Sequence, residues 1–198
     1  MKLIIVRHGE TVENKEGIMQ GQTHGKLSDM GLRQVEKLAE YLKNEKIDLI
    51  YSSDLGRCKE SLAPLLQFIN QKVIYTELLR ERTKGIFDGK DSKQYHNWML
   101  ENPRKIPSGG ENAQEVDARV DKFLKENIGK WKNKTVLIMA HGGTKISLLK
   151  ILLGTQHEHV NAVEKVSPNA AVTIIEADKE NKFFITKLHH IKHLEEVK

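Results

Sequence analysis

One cysteine, Cys58, stands in a chain of 198 residues, so no intrachain disulfide is available and the cytoplasm is the default compartment. No apolar run approaches the roughly 20 residues that a membrane-spanning helix needs. The apolar stretch Leu3–Val6 near the N-terminus is short and is not followed by a small-residue cleavage site, so it reads as a core strand and not as a secretory leader. Aromatic residues make up only 6% and form no stacking platform for a nucleic acid. Acidic excess is absent too: the net charge is +5. The lysines are nevertheless interleaved with glutamates, as on a solvated surface, which argues against a nucleic-acid partner. Positive charge of this kind draws small phosphorylated molecules instead. With 38% hydrophobic and 30% charged residues, the composition is that of a soluble globular chain long enough for one sizeable core.

Leu3-Ile4-Ile5-Val6 fits a buried strand that ends at Arg7-His8-Gly9. A Gly-containing loop runs to about residue 27. Ser28 or Asp29 caps a helix whose apolar stripe is Leu32, Val35, Leu38, Ala39 and Leu42. Ile47–Tyr51 is a second strand, followed by a helix to about Asn70 that Pro64 kinks or divides. Lys72–Tyr75 is a third strand. Residues 76–110 are less periodic and rich in Gly and Pro, the profile of a cap insertion with one helix around Ser92–Glu101. Glu111 to about Trp131 reads as a helix, Thr135–Ala140 as a strand ending at His141-Gly142-Gly143, and Ile146–Leu153 as a helix stopped by Gly154. Ala171–Ala177 and Phe183–Leu188 form a closing hairpin. Strands alternating with helices predict an α/β fold over residues 1–198: a three-layer α/β/α sandwich with a mostly parallel sheet and a short cap at about 76–110.

Two strands thus end in His-Gly, at His8 and His141, and a third delivers Arg57 near a helix start. In a parallel sheet these ends share one edge, where α/β folds bind ligands. Arg7, His8, Arg57 and His141 therefore converge on a site suited to an anion.

These residues carry a resemblance. Arg7-His8-Gly9-Glu10-Thr11 with Asn14, Gln20-Gly21, Leu27-Ser28 with Gly31, Ser52-Ser53-Asp54-Leu55 with Arg57, Leu79-Arg80-Glu81-Arg82 with Gly85 and Gly89, Gly109-Gly110-Glu111, and His141-Gly142-Gly143 occur in order along nearly the whole chain. The sequence resembles the histidine phosphatase superfamily, which includes cofactor-dependent phosphoglycerate mutases and fructose-2,6-bisphosphatase domains. The resemblance implies that His8 attacks phosphorus and becomes a phosphohistidine. It implies that Arg7, Arg57 and His141 cradle the phosphoryl oxygens, and that Asn14, Gln20, Gly21 and the amides at Gly142 complete the pocket. Glu81 is the matching acid: it starts protonated, protonates the leaving oxygen and later activates water. Nearby cations disfavour a charged imidazole, so Arg7 and Arg57 should keep His8 neutral. No metal and no cofactor is expected, because arginine and histidine neutralise the charge.

Mutases of the family resemble longer chains with a larger cap and tend to carry Asn where Gly143 stands, so the reading is a phosphatase of small phosphorylated metabolites. A phosphoglycerate mutase is the alternative, and a non-catalytic phosphate-binding domain a remote one. Lys84 replaces an aromatic often found before the glycine. Lys84, Lys90, Lys93, Arg104 and Lys105 either meet a second anion on the substrate or are solvated surface. Cys58 is either redox-sensitive near the site or a small packed residue. His157, His159, His189, His190 and His193 lack metal-site spacing and are expected at the surface or in the tail.

Overall fold

The computed structural model describes residues 1–154 and 167–197. Its main sheet contains β1 (Lys2–Arg7), β3 (Leu49–Ser53), β4 (Val73–Thr76), β6 (Thr135–Ala140), β7 (Val172–Ala177) and β8 (Phe183–His190), in the order β4-β3-β6-β1-β7-β8. Strands β4, β3, β6 and β1 run parallel, and β7 enters antiparallel to both β1 and β8. The mostly parallel sheet and the closing hairpin match expectation.

Alternation along β1 explains the layers. Leu3 and Ile5 point to one face, where they meet α5 (Ala113–Asn127) and α6 (Gly142–Leu153) through Val120, Phe123 and Leu148. Ile4 and Val6 point to the other, where α2 (Asp29–Leu42) and α3 (Gly56–Leu62) contribute Leu38, Leu42, Cys58 and Leu62. Burying each large apolar side chain contributes on the order of 2 kcal/mol. Ser28 caps α2 by accepting from the Gly31 N–H at 3.0 Å. Leu32, read as part of the buried stripe, is instead 48% exposed: it lies at the edge of the helix face that packs on the sheet.

Helix boundaries are tighter than the periodicity suggested. Helix α3 stops at Leu62, and a 3-10 turn, Leu65–Gln67, follows Pro64, whose ring and missing N–H do not let the α-helix continue. Helix α5 likewise gives way to the 3-10 turn Ile128–Trp131.

The loop after β1 holds more structure than its sequence suggests. A short helix α1 (Val12–Lys15) is followed by β2 (Ile18–Met19), which pairs antiparallel with β5 (Lys90–Asp91) in the cap. Helix α4 (Ser92–Glu101) follows β5 as expected. Asp88 reinforces the tie, since its carboxylate accepts from the Gln22 and Lys84 amides at 3.0 and 2.7 Å and from the Thr83 hydroxyl at 2.7 Å. Gly21, at φ +48°, makes room for it: a Cβ there would lie 1.8 Å from an Asp88 oxygen. No described helix is long and apolar enough to cross a membrane.

His157 and His159 lie outside the described residues. His189, His190 and His193 are half-buried and not free surface or tail residues. Tyr41 of α2 stacks on His190 and His193 at centroid distances of 5.2 and 4.9 Å, the His193 Nε2–H donates to the Ala170 carbonyl at 3.1 Å, and the His189 amide donates to Thr173 Oγ1 at 3.1 Å. Among the described residues no cluster has the makings of a metal site.

Candidate active site

Register brings the two histidine motifs together. Arg7 pairs with Ala140 across β1 and β6, so both strands end at the same level and His8 and His141 follow as neighbours. Their ring centroids are 5.2 Å apart, and both side chains are almost wholly buried. Beside them is a pocket of about 200 Å³ lined by Arg7, His8, Asn14, Gln20, Gly21, Arg57, Glu81 and Lys84, among others.

His8 has one defined orientation. Its Nδ1 lies 2.7 Å from the Gly9 carbonyl. A carbonyl only accepts, so Nδ1 carries the proton and Nε2 keeps its lone pair. Burial, then Arg57 and Arg7, hold the imidazole well below its ordinary pKa. The result is a neutral ring with a basic nitrogen between two cations.

Asn169, which no sequence pattern singled out, fixes the same carbonyl. Its Nδ2 donates to the carbonyls of His8 and Gly9, both at 3.1 Å, and to Asn14 Oδ1 at 3.2 Å. Asn14 Oδ1 also accepts from the Thr11 amide in a capping box, so its amide nitrogen is left to face the pocket.

Arg57 reaches the site from the first turn of α3 and is 1% exposed. Its Nε donates to His141 Nδ1 at 3.1 Å, Nη1 to the Thr23 and His24 carbonyls, and Nη2 to the Gly21 carbonyl at 2.8 Å. Of five guanidinium N–H groups these bonds occupy all but one. Arg57 therefore clamps the loop after β1 as much as it faces an anion. Arg7 donates Nη1 to the Ser167 carbonyl, while its buried Nε has no protein partner. Such a donor suits an anionic oxygen. Gln20 is also buried, and its Oε1 has no partner.

His141 and Gly142 are buried without lining the pocket. His141 Nδ1 accepts from Arg57, so Nε2 carries the proton, 2.8 Å from Ser53 Oγ. Both nitrogens thus have protein partners, and the ring supports Arg57 directly. The adjacent Gly143 amide donates to Glu81 Oε2 at 3.0 Å, and the Arg82 amide to Glu81 Oε1 at 2.8 Å. A Cβ at residue 143 would stand 2.4 Å from Glu81 Oε1, so glycine there leaves the carboxyl its place.

Cys58 is packed in the core with Sγ 3.5 Å from His141 Nε2, and burial pushes its thiol up to about 12. It stays a thiol, the packed residue of the two readings. Lys145 was not singled out. It is fully buried with Nζ 2.9 Å from Ser167 Oγ, and burial followed by Arg7 pushes its ammonium down to about 7.

A family model described as the histidine phosphatase superfamily, branch 1, matches residues 3–189. The chain is 30% identical over 204 residues to a putative phosphoserine phosphatase 2 of Hydrogenobacter thermophilus, covering 98% of each. It is 30% identical over 208 residues to a metal-independent phosphoserine phosphatase of Arabidopsis thaliana, covering 99% of this chain and 84% of that one. The solved structure of Bacillus stearothermophilus YhfR superposes with a TM-score of 0.85 at 26% identity, covering 98% of this chain and 99% of the other.

Proposed function

This chain belongs to branch 1 of the histidine phosphatase superfamily, and we propose that it hydrolyses phosphate monoesters of small metabolites with His8 as the nucleophile. The observation that carries the reading is the single tautomer of His8, held by Gly9 and left basic at Nε2 inside a pocket walled by Arg7 and Arg57.

His8 Nε2 attacks phosphorus while the bond to the ester oxygen breaks. Arg7 Nε and the remaining Arg57 N–H meet the equatorial oxygens, with the Asn14 amide as a third donor. Charge stabilisation by fixed donors is the main work in phosphoryl transfer. Glu81, held by the Gly143 and Arg82 amides at the pocket wall, gives its proton to the leaving oxygen. In the second half, water attacks the phosphohistidine, Glu81 takes its proton, and phosphate leaves with His8 restored. His141 acts through Arg57 and keeps the guanidinium plane in place.

The reading is tested by phosphate release from p-nitrophenyl phosphate and from alkyl phosphates, run beside a mutase assay on phosphoglycerates. Glu81→Gln is expected to lower turnover of alkyl phosphates about 100-fold or more. Turnover of p-nitrophenyl phosphate, whose leaving group needs little protonation, should drop far less. Equal losses on both would remove Glu81 from the acid role. Phosphoglycerate interconversion without phosphate release would make the chain a mutase. EDTA is expected to leave the rate unchanged, since arginines supply the positive charge; inhibition reversed by added metal would overturn that.

A further inference from the structure

Lys145 is a buried charge that the reaction above does not use. It stands in the first turn of α6, its amide donating to the His141 carbonyl at 2.9 Å, and α6 packs on β1 and β8. The side chain shares a helix face with Leu148 and Leu149 and is 1% exposed. An ammonium in the interior normally has a carboxylate beside it. The titratable groups that face this one are Arg7 from β1 and His189 from β8, and neither is acidic. An apolar side chain of similar length would fill the same space without that cost. What the lysine adds is a donor: Nζ lies 2.9 Å from Ser167 Oγ, which is buried too. The neutral amine still carries N–H groups, so this bond survives the loss of charge that burial favours.

Ser167 begins a short segment that backs the site. Its carbonyl accepts from Arg7 Nη1. Asn169 Nδ2 and the Ala170 amide both donate to the His8 carbonyl at 3.1 Å, and the Arg7 amide donates to the Ala171 carbonyl at 3.3 Å. Residues 167–171 thus hold Arg7 and His8 from behind. At the far end of the segment, β7 ties it into the sheet beside β1. At the Ser167 end, the tie to the body of the protein among the described residues is Lys145. The consequence falls on Arg7, because a guanidinium is planar: the bond from Nη1 to Ser167 sets the direction in which the unpartnered Nε points.

We propose that Lys145 is a positioning residue for phosphoryl transfer: by holding Ser167 it aims the Arg7 guanidinium at the phosphoryl oxygens. It does not line the pocket and touches none of the reacting atoms. The inference rests on the phosphatase reading above and adds to it a residue outside the pocket.

Lys145→Met and Ser167→Ala test it, the second removing the hydroxyl while keeping the carbonyl that holds Arg7. A lysine needed only for folding would lower Tm when replaced. Exchange of an unpaired buried cation for methionine should instead leave Tm unchanged or raise it. Each variant should lower kcat/KM for p-nitrophenyl phosphate about fivefold or more and raise the inhibition constant of inorganic phosphate about threefold or more, since a misaimed Arg7 serves both. The double variant should lose less than about threefold beyond the more affected single one, because both changes cut the same link. Ser167→Thr, which keeps the hydroxyl, should restore the wild-type phosphate affinity. Smaller changes in either single variant, or a further loss of threefold or more in the double, overturn the positioning role. Should Lys145→Met fail to fold, Ser167→Ala and its rescue by Ser167→Thr decide on the same thresholds. If the thresholds are missed while His8→Ala still abolishes phosphate release, the positioning role alone has failed. No phosphate release from the wild-type protein overturns the phosphatase reading and this inference with it.

Discussion

His8→Ala should reduce phosphate release to below about a thousandth of the wild-type rate, on good and poor leaving groups alike. Loss of the nucleophile removes both half-reactions, so a better leaving group offers no bypass. The fold should survive, because the Gly9 carbonyl that accepts from His8 keeps its bond from Asn169. Steady-state kinetics beside a thermal melt would check both points. Turnover above a tenth of wild type in a folded variant would reject the nucleophile assignment. The titration of His8 carries a sign as well. Its imidazole is held below the ordinary value by burial, Arg57 and Arg7, so it stays unprotonated as pH falls through the usual histidine range near 6.5. Activity should therefore show no His8-linked loss there. Stability behaves in the opposite way: below the unfolded value the unfolded chain takes up protons that the folded His8 and His141 refuse, so the folded state weakens as pH falls.

Arg57→Met is expected to lower kcat/KM by about 1,000-fold and to cost about 3 kcal/mol of stability. The first effect follows from losing a donor and charge at the transferring group. The second follows from the carbonyls of Gly21 and Thr23 and from His141 Nδ1, which lose their side-chain donor at once, while the His24 carbonyl keeps its bond from the backbone N–H of residue 57. Removing this cation also relieves one of the causes that lower His8. The acid limb of the pH–rate profile should move upward, though burial keeps it from reaching the free value. A melt and a pH profile together separate these effects. A variant that loses activity while its melt stays unchanged would show that the loop clamp is unimportant, and an unmoved acid limb would show the same of the Arg57–His8 coupling.

The strand ends were legible because their pattern is local. A short apolar run followed by His-Gly reads as a buried strand and the turn after it, and both instances end adjacent parallel strands, side by side through the β1–β6 register. Arg57 was legible as a charge but not as a clamp, since the carbonyls it holds belong to a loop whose path no periodicity records. Asn169 was invisible for a different reason: its partners are about 160 residues away in the chain, and a lone Asn beside Pro168 reads as a turn. Lys145 looked like one more surface lysine. Its burial follows from the position of α6 against the sheet, which is set by apolar neighbours on both sides of it. Leu32 failed in the reverse direction, because a stripe read from spacing alone is wider than the face a helix buries.

The tie between cap and loop bears on how this protein is best re-engineered. Strand β2 and strand β5, the Asp88 carboxylate on Gln22, and the Gly89 amide donating to the Met19 carbonyl at 2.7 Å couple residues 17–23 to residues 83–92. A graft that moves the cap alone would leave the ladder half-paired and bring a foreign side chain against Gly21. The transplantable module is discontinuous, and a library built to change selectivity should vary the two segments jointly.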